Sequence, residues 1–424
     1  MTTAGPEGLY LARTATSARL VARAANAMPG GSTRTLGWHL PYPPVMDHGA
    51  GARLFDVDGN EYLDFVYNGL SLIHGHSYPP VVEALARRMP RGTAWPSPSV
   101  PQIEFAELLC GRLAAAELVR FTNSGTEAAM LAVKLARRHT GRRIVVKARH
   151  GYHGSNEELE AGVAGLPEIP GRVLLADFGD TGSFATLIDR HGPAIAAVIL
   201  EPVMYTGVVT VPPGGFLAAV QDAARRAGAV FIVDDCLMFR LAMGGSPERF
   251  GLDPDLIVLG KFVGGGLPVG VVAGRRQIMR ALDPRSDEPM YHGGSFNGSL
   301  LGSVAGEVAI SELTAGRIRT MERLAGRLRE GVTARARKHG VPFSTVGYGS
   351  VFGIYATDEP PTPAAGRPPE SRWHQLHLAL LAHGIYCGTE GEMALATCVS
   401  DADVDEACER FDQAFATVAG LPPP

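Results

Sequence analysis

Short apolar runs alternating with longer amphipathic stretches constrain this chain more than any other feature. Leu118 to Thr122, Arg143 to Lys147, Ala196 to Leu200, Val230 to Asp234 and Leu256 to Leu259 are brief and apolar or β-branched at their centres. Between them, Glu127 to His139 and Phe216 to Ala227 repeat apolar residues at helical spacing. Strands separated by helices pair in parallel, because a parallel pair needs a long crossover, and the helices then cover both faces of the sheet. An α/β architecture follows, with ligands expected at the carboxyl ends of the strands.

The flanking segments read differently. Glu7 to Met28 has helical spacing and stops at Pro29-Gly30-Gly31, while Ala52 to Phe65 reads as two short strands around an Asp58-Gly59 turn. After one long helical pattern from Gly298 to His339 come strand candidates in Phe343 to Tyr355 and a Pro-rich surface loop from Pro360 to Pro369. Helices near Trp373 to His383 and Asp401 to Ala416 complete a C-terminal domain.

Composition narrows the chemistry. A formal net charge of −4 gives no overall attraction to nucleic acid or anionic membrane. The five cysteines are scattered, with no C-x-x-C pair to suggest a zinc or redox site. Met1 to Leu20 lacks the pattern of a secretory signal, and no apolar run reaches the roughly 20 residues that span a bilayer, so a small-molecule enzyme of the reducing cytoplasm is expected.

Lysine occurs only as Lys134, Lys147, Lys261 and Lys338, so each can be judged by its setting. Lys134 falls in an amphipathic helix and Lys147 at a basic strand end, both ordinary places for a cation. Lys261 follows Leu256-Ile-Val-Leu-Gly and precedes Gly264-Gly265-Gly266, where the backbone must turn sharply or approach a ligand. It is either a surface lysine past a strand or an amine in a low-dielectric pocket, where charge is readily lost and an imine with an aldehyde cofactor can form.

Asp234 ends the buried-looking run Val230-Phe-Ile-Val. A carboxylate there can pair with a protonated ring nitrogen, cap a helix, or share a metal with Asp235. Asn123-Ser124-Gly125-Thr126-Glu127 opens a helix after a strand, an arrangement that suits a phosphate and also suits a plain cap. Gly151-Tyr152-His153-Gly154 offers an aromatic ring between glycines, either stacked on a planar group or packed in a turn.

Together and in this order, these segments resemble the class III aminotransferases of pyridoxal 5′-phosphate (PLP) fold type I. The branch of glutamate-1-semialdehyde aminomutase and the β-amino-acid aminotransferases is most similar. The resemblance runs from Met28-Pro-Gly-Gly through Phe55-Asp-Val-Asp-Gly-Asn, Gly75-His-Ser-Tyr-Pro, Asn123-Ser-Gly-Thr-Glu-Ala, Glu201-Pro-Val and Leu259-Gly-Lys to Gly293-Gly-Ser-Phe-Asn-Gly. It implies a large PLP-binding domain over residues 76–325, with a mainly parallel seven-stranded sheet between helices. A smaller α+β domain would come from both termini, residues 1–75 and 326–424.

The resemblance also implies roles. Lys261 would hold PLP as an imine and move the substrate proton. Asp234 would bind the pyridine nitrogen, Tyr152 would stack on the ring with His153 beside it, and Ser124, Gly125 and Thr126 would bind the phosphate. Glu201 is expected at the substrate. The active site of such enzymes lies at a dimer interface, so the implied unit is a homodimer with shared active sites in which Ser295 reaches the neighbouring phosphate. No metal is implied.

Details of the branch bear on the substrate. Gly30-Gly-Ser-Thr-Arg34 resembles the β-amino-acid version, in which the arginine grips a substrate carboxylate; in so arginine-rich a chain it also reads as a plain loop arginine. The span from Asp234 to Leu241 has the length of that branch, although Asp235 stands where the family has glutamate. Glu390 stands where the β-amino-acid enzymes place an arginine, which disfavours 2-oxoglutarate as the usual partner and favours a substrate with a second amine. The implied function is transamination between an amino acid, such as a β-amino acid, or an amine, and a keto acid or aldehyde. An isomerase of the aminomutase or racemase type uses the same cofactor residues and is the alternative. The Gly264-Gly-Gly run lacks the spacing of a dinucleotide-binding helix, which argues against a dehydrogenase.

Overall fold

The structure, a computed structural model, describes residues 5–362 and 370–421. Residues 363–369 of the Pro-rich stretch, expected as a surface loop, lie outside the described residues, as do residues 1–4.

The N-terminal helical pattern is two helices, Pro6–Arg13 and Ala15–Ala24, because Thr14 between them leaves helical geometry at φ −128° and ψ 34°. Strands β1 (Met46–Ala50), β2 (Arg53–Asp56) and β3 (Glu61–Asp64) form an antiparallel meander. Its second turn closes on Asp56, whose carboxylate accepts from the Asn60 amide at 2.8 Å and the Tyr62 hydroxyl at 2.7 Å, while Gly59 takes φ +85°.

The central sheet contains β4 (Leu118–Thr122), β5 (Ile144–Ala148), β6 (Val173–Ala176), β7 (Ile195–Leu200), β8 (Val230–Asp234), β9 (Leu256–Leu259) and β10 (Gly270–Gly274), in the order β4-β10-β9-β8-β7-β5-β6. Only β10 runs against its neighbours. β7 to β9 are buried along their whole length, as strands covered on both faces must be. Helix Gly125–Thr140 packs on one face through Ala128, Ala132 and Leu135, against Val145, Ile199, Ile232 and Val258. Phe216–Arg226 and Thr181–His191 cover the other face.

The long pattern from Gly298 to His339 is two helices, Leu300–Glu312 and Ala315–Lys338, parted where Thr314 caps the second by accepting from the Arg317 amide. The second helix joins two cores. Ile318 and Met321 pack beside the central sheet, whereas Leu324, Leu328 and Val332 pack among C-terminal residues such as Phe411 and Phe415. There, β11 (Ser344–Tyr348), β12 (Val351–Tyr355) and β14 (Glu392–Ala394) form an antiparallel sheet. β13 (Ile385–Tyr386) instead runs parallel to β3, so both ends of the chain build one small sheet. No helix among the described residues is long and apolar enough to cross a membrane.

Candidate active site

The carboxyl ends of β7, β8 and β9 deliver Glu201, Asp234 and Lys261 to one cavity of about 1570 Å³. Lys261 comes two residues after β9 and holds φ +54°, the left-handed region that a side chain with a Cβ avoids. A non-glycine residue held there marks a site where surrounding structure fixes the backbone against its preference.

Asp234 is buried, and its Oδ2 accepts from His153 Nδ1 at 2.8 Å while Oδ1 accepts from the Cys236 amide at 3.2 Å. Burial pushes this carboxyl up, but hydrogen bonds, that from His153 first and that from Cys236 after it, help hold the group below the ordinary aspartate range. Burial dominates at His153, which is held below the usual histidine range, so its neutral imidazole donates through Nδ1. Its buried Nε2 has no hydrogen-bond partner among the described residues.

Glu201 Oε1 accepts from the Tyr152 amide at 2.8 Å and thereby sets the chain direction at the ring. Burial first, and the neighbouring Asp234 second, push Glu201 up to about 8. The Tyr152 ring lines the cavity, and its hydroxyl lies 3.1 Å from Ser155 Oγ.

The amino end of helix Gly125–Thr140 opens on the same cavity through Gly125 and Thr126. Glycine is required there by close approach: a Cβ on Gly125 would come within 2.9 Å of Cys236 Sγ, and one on Gly260 within 3.0 Å of Gly125 Cα. Ser124 is the helix cap, its hydroxyl accepting from the Glu127 amide at 3.2 Å.

At the mouth, Arg34 is exposed and donates to Asn68 Oδ1 at 2.9 Å. Glu390 also lines the cavity, its amide donating to Glu392 Oε2 at 3.1 Å. Ser295 lies elsewhere, exposed in a turn beside Phe296 and outside this cavity.

Several residues at the site escape the sequence. His76 lines the cavity and its Nε2 lies 2.6 Å from Oδ2 of buried Asp64; only the Gly75-His-Ser-Tyr-Pro match could have flagged it. His39 and His377 form another wall, rings 4.8 Å apart, with burial pushing His39 down to about 4. Lys147 corrects the reading of an ordinary strand-end cation: it is fully buried, and its Nζ donates to Ala161 O at 2.6 Å.

Comparison with known proteins gives this geometry a family. The class III aminotransferase model matches residues 38–164 and 177–415. Over 399 residues the chain is 36% identical to a glutamate-1-semialdehyde 2,1-aminomutase of Chloroflexus aurantiacus, covering 88% of this chain and 90% of that one. An omega-transaminase from Sphaerobacter thermophilus superposes with TM-score 0.89 at 34% identity, over 95% of this chain and 98% of the other. A β-phenylalanine aminotransferase from Variovorax paradoxus superposes with TM-score 0.90 at 29% identity, over 98% and 96% of the two chains. The chain belongs to the class III aminotransferase family and has the PLP type I fold.

The cofactor is PLP, and the residues present fit it. A helix amino terminus with glycine-tight walls suits the phosphate, a buried carboxylate held ionised suits a protonated pyridine nitrogen, and one lysine opens on the same space.

Proposed function

We propose that this class III aminotransferase moves an amino group from an amino acid, such as a β-amino acid, or an amine to a separate keto acid or aldehyde. The observation that supports this reading most is the shared cavity, which carries Lys261 and Asp234 inside and exposed Arg34 at its mouth. Its volume of about 1570 Å³ takes in the place of the cofactor together with that of the substrate beside it.

Bound PLP supplies an aldehyde that captures a primary amine and a ring that accepts the electron pair of the neighbouring carbon. The protein does the rest. Lys261 Nζ holds the cofactor and then carries the proton from the amine-bearing carbon. Asp234 keeps the pyridine nitrogen protonated, His153 holds Asp234 in place, and Tyr152 covers the ring. Gly125 and Thr126 hold the phosphate at the helix terminus that Ser124 caps, and Arg34 grips the substrate carboxylate, with Glu201 and Glu390 on the substrate side. The active unit we infer is a homodimer in which Ser295 completes the phosphate site of a second copy; its exposure beside Phe296, 64% exposed, supports this.

The aminomutase relative favours a second reading, in which the amino group returns to the same skeleton. One experiment decides. Single-turnover mixing of the PLP form with amino donors and no acceptor should release one equivalent of keto product and leave the amino group on the bound cofactor. Isomerised amine with no released keto product would establish the aminomutase instead. Lys261→Ala should fold yet hold no borohydride-reducible cofactor, and Asp234→Asn should keep part of the cofactor binding while losing most turnover.

A further inference from the structure

Strand register places three ionisable side chains on one face of the central sheet. Lys147 pairs with Ile199 across β5 and β7, and Ile199 with Ile232 across β7 and β8, so these side chains point the same way. A two-residue step along each of β7 and β8 reaches Glu201 and Asp234 on that face. Around the row, Val145, Ile199, Ile232 and Val258 pack under helix Gly125–Thr140, whose amino end opens on the cavity.

Lys147 has no exposed surface, and its Nζ donates to Ala161 O at 2.6 Å. Ala161 lies in the segment that follows β5, the same segment that carries Tyr152 and His153. An ammonium this deep is costly unless something compensates it, and the carboxylate whose field it feels is that of Glu201. Burial pushes Lys147 down to about 8 and Glu201 up to about 8, while each pulls the other back toward its ionised form. The other charged or titratable groups acting on this pair are Asp234 from β8, His150 and His153 from the segment after β5, and Lys261 after β9.

We propose that Lys147 is a positioning residue of the active site: its buried ammonium keeps Glu201 able to ionise, and its bond to Ala161 pins the segment that carries Tyr152 and His153. An ionised Glu201 accepts the Tyr152 amide in a charge-assisted bond and so fixes the ring that covers the cofactor. This rests on the roles of Glu201 and Tyr152 proposed above.

The test reads the proton on Glu201 directly. In the cofactor-loaded protein without substrate, infrared difference spectra follow the carboxylic-acid C=O band with pH, Glu201→Gln identifying the band that belongs to Glu201. In the wild type that band should titrate away as pH rises above the ordinary carboxylate range. In Lys147→Met its midpoint should rise by at least one pH unit, and Lys147→Arg should bring it back part of the way. Lys147→Gln, which keeps a donor toward Ala161, should shift the band like Lys147→Met but lose less thermal stability, and it carries the test if Lys147→Met does not fold. An unchanged midpoint in both neutral variants overturns the proposal. The band needs no turnover, so it can move as expected even if the single-turnover experiment shows an isomerase, and the two conclusions fail separately.

Discussion

His153 Nδ1 lies 2.8 Å from Asp234 Oδ2, and both side chains are buried, so the segment after β5 holds the carboxylate at the end of β8. Removing the imidazole leaves the desolvation of Asp234 unopposed on that side, and its carboxyl rises. His153→Ala should therefore weaken PLP binding and lower kcat together. A buried hydrogen bond to a charged group is worth about 1.5 to 3 kcal/mol, roughly 10- to 100-fold. Fluorescence titration with PLP and steady-state kinetics check this; an unchanged Kd for PLP would show that Asp234 is held by its backbone alone.

Lys261 at φ +54° predicts a difference between two inactive variants. Lys261→Gly removes both the side chain and the steric cost of the left-handed backbone, while Lys261→Ala removes the side chain and keeps that cost. The glycine variant, freed of cofactor, should be more stable than the alanine variant by about 1 kcal/mol in urea unfolding, net of glycine's larger unfolded-state entropy. Equal midpoints would mean that the turn relaxes once the lysine is gone.

How much of this was legible follows from the forces acting on each segment. β4, β8 and β9 stand where their apolar runs place them, and β8 and β9, buried along their whole length, carry that apolar signal at nearly every position. β10 is not among the five strand candidates, since Gly270-Val-Val-Ala-Gly274 offers only three apolar residues between two glycines. Yet a Cβ on Gly270 would come within 2.0 Å of Ser124 O, so close packing, not flexibility, selects that glycine. β6, a four-residue strand on the sheet edge, is likewise absent from the strand candidates. Lys261, Asp234, Tyr152 and Thr126 were readable as strand-end and helix-start residues, and they do share a cavity. Lys147 and His76 were not, because their settings come from neighbours far along the chain: Ala161 and Glu201 for one, Asp64 for the other.

Asp235 links the site to stability against pH. It is fully buried, Oδ2 accepts from the Ser246 amide at 3.0 Å, and Oδ1 has no partner among the described residues. Burial pushes the group up to about 8 from an ordinary 3.8, so between those values the folded state binds more protons than the unfolded state. Stability contributed here is complete below the unfolded value and falls as pH rises through the folded one, by at most about 1.4 kcal/mol per unit. Asp235→Asn should flatten the loss between pH 5 and 8 in urea unfolding of the cofactor-free protein. Parallel curves for wild type and variant would mean that Asp235 ionises freely in the fold.

Arg34 and Glu390 line one cavity with opposite charges, one at the exposed mouth and one on the loop before β14, and this pairing predicts substrate choice. The Arg34 guanidinium donates to Asn68 Oδ1 at 2.9 Å through one nitrogen, so its remaining donors can take a carboxylate. Arg34→Ala should raise KM for carboxylate-bearing amines by roughly 30-fold, the equivalent of about 2 kcal/mol, and change little for amines without a carboxylate. In the proposed reading Glu390 disfavours a second carboxylate at the other position, so Glu390→Arg should improve kcat/KM for dicarboxylate acceptors such as 2-oxoglutarate. The amine half is read from single-turnover kinetics on matched substrates with and without the carboxylate, the acceptor half from regeneration of the PLP form. If Arg34→Ala affects both amine classes equally, the arginine shapes the mouth instead of gripping the substrate. If Glu390→Arg leaves 2-oxoglutarate unimproved, the acidic residue is not what excludes it.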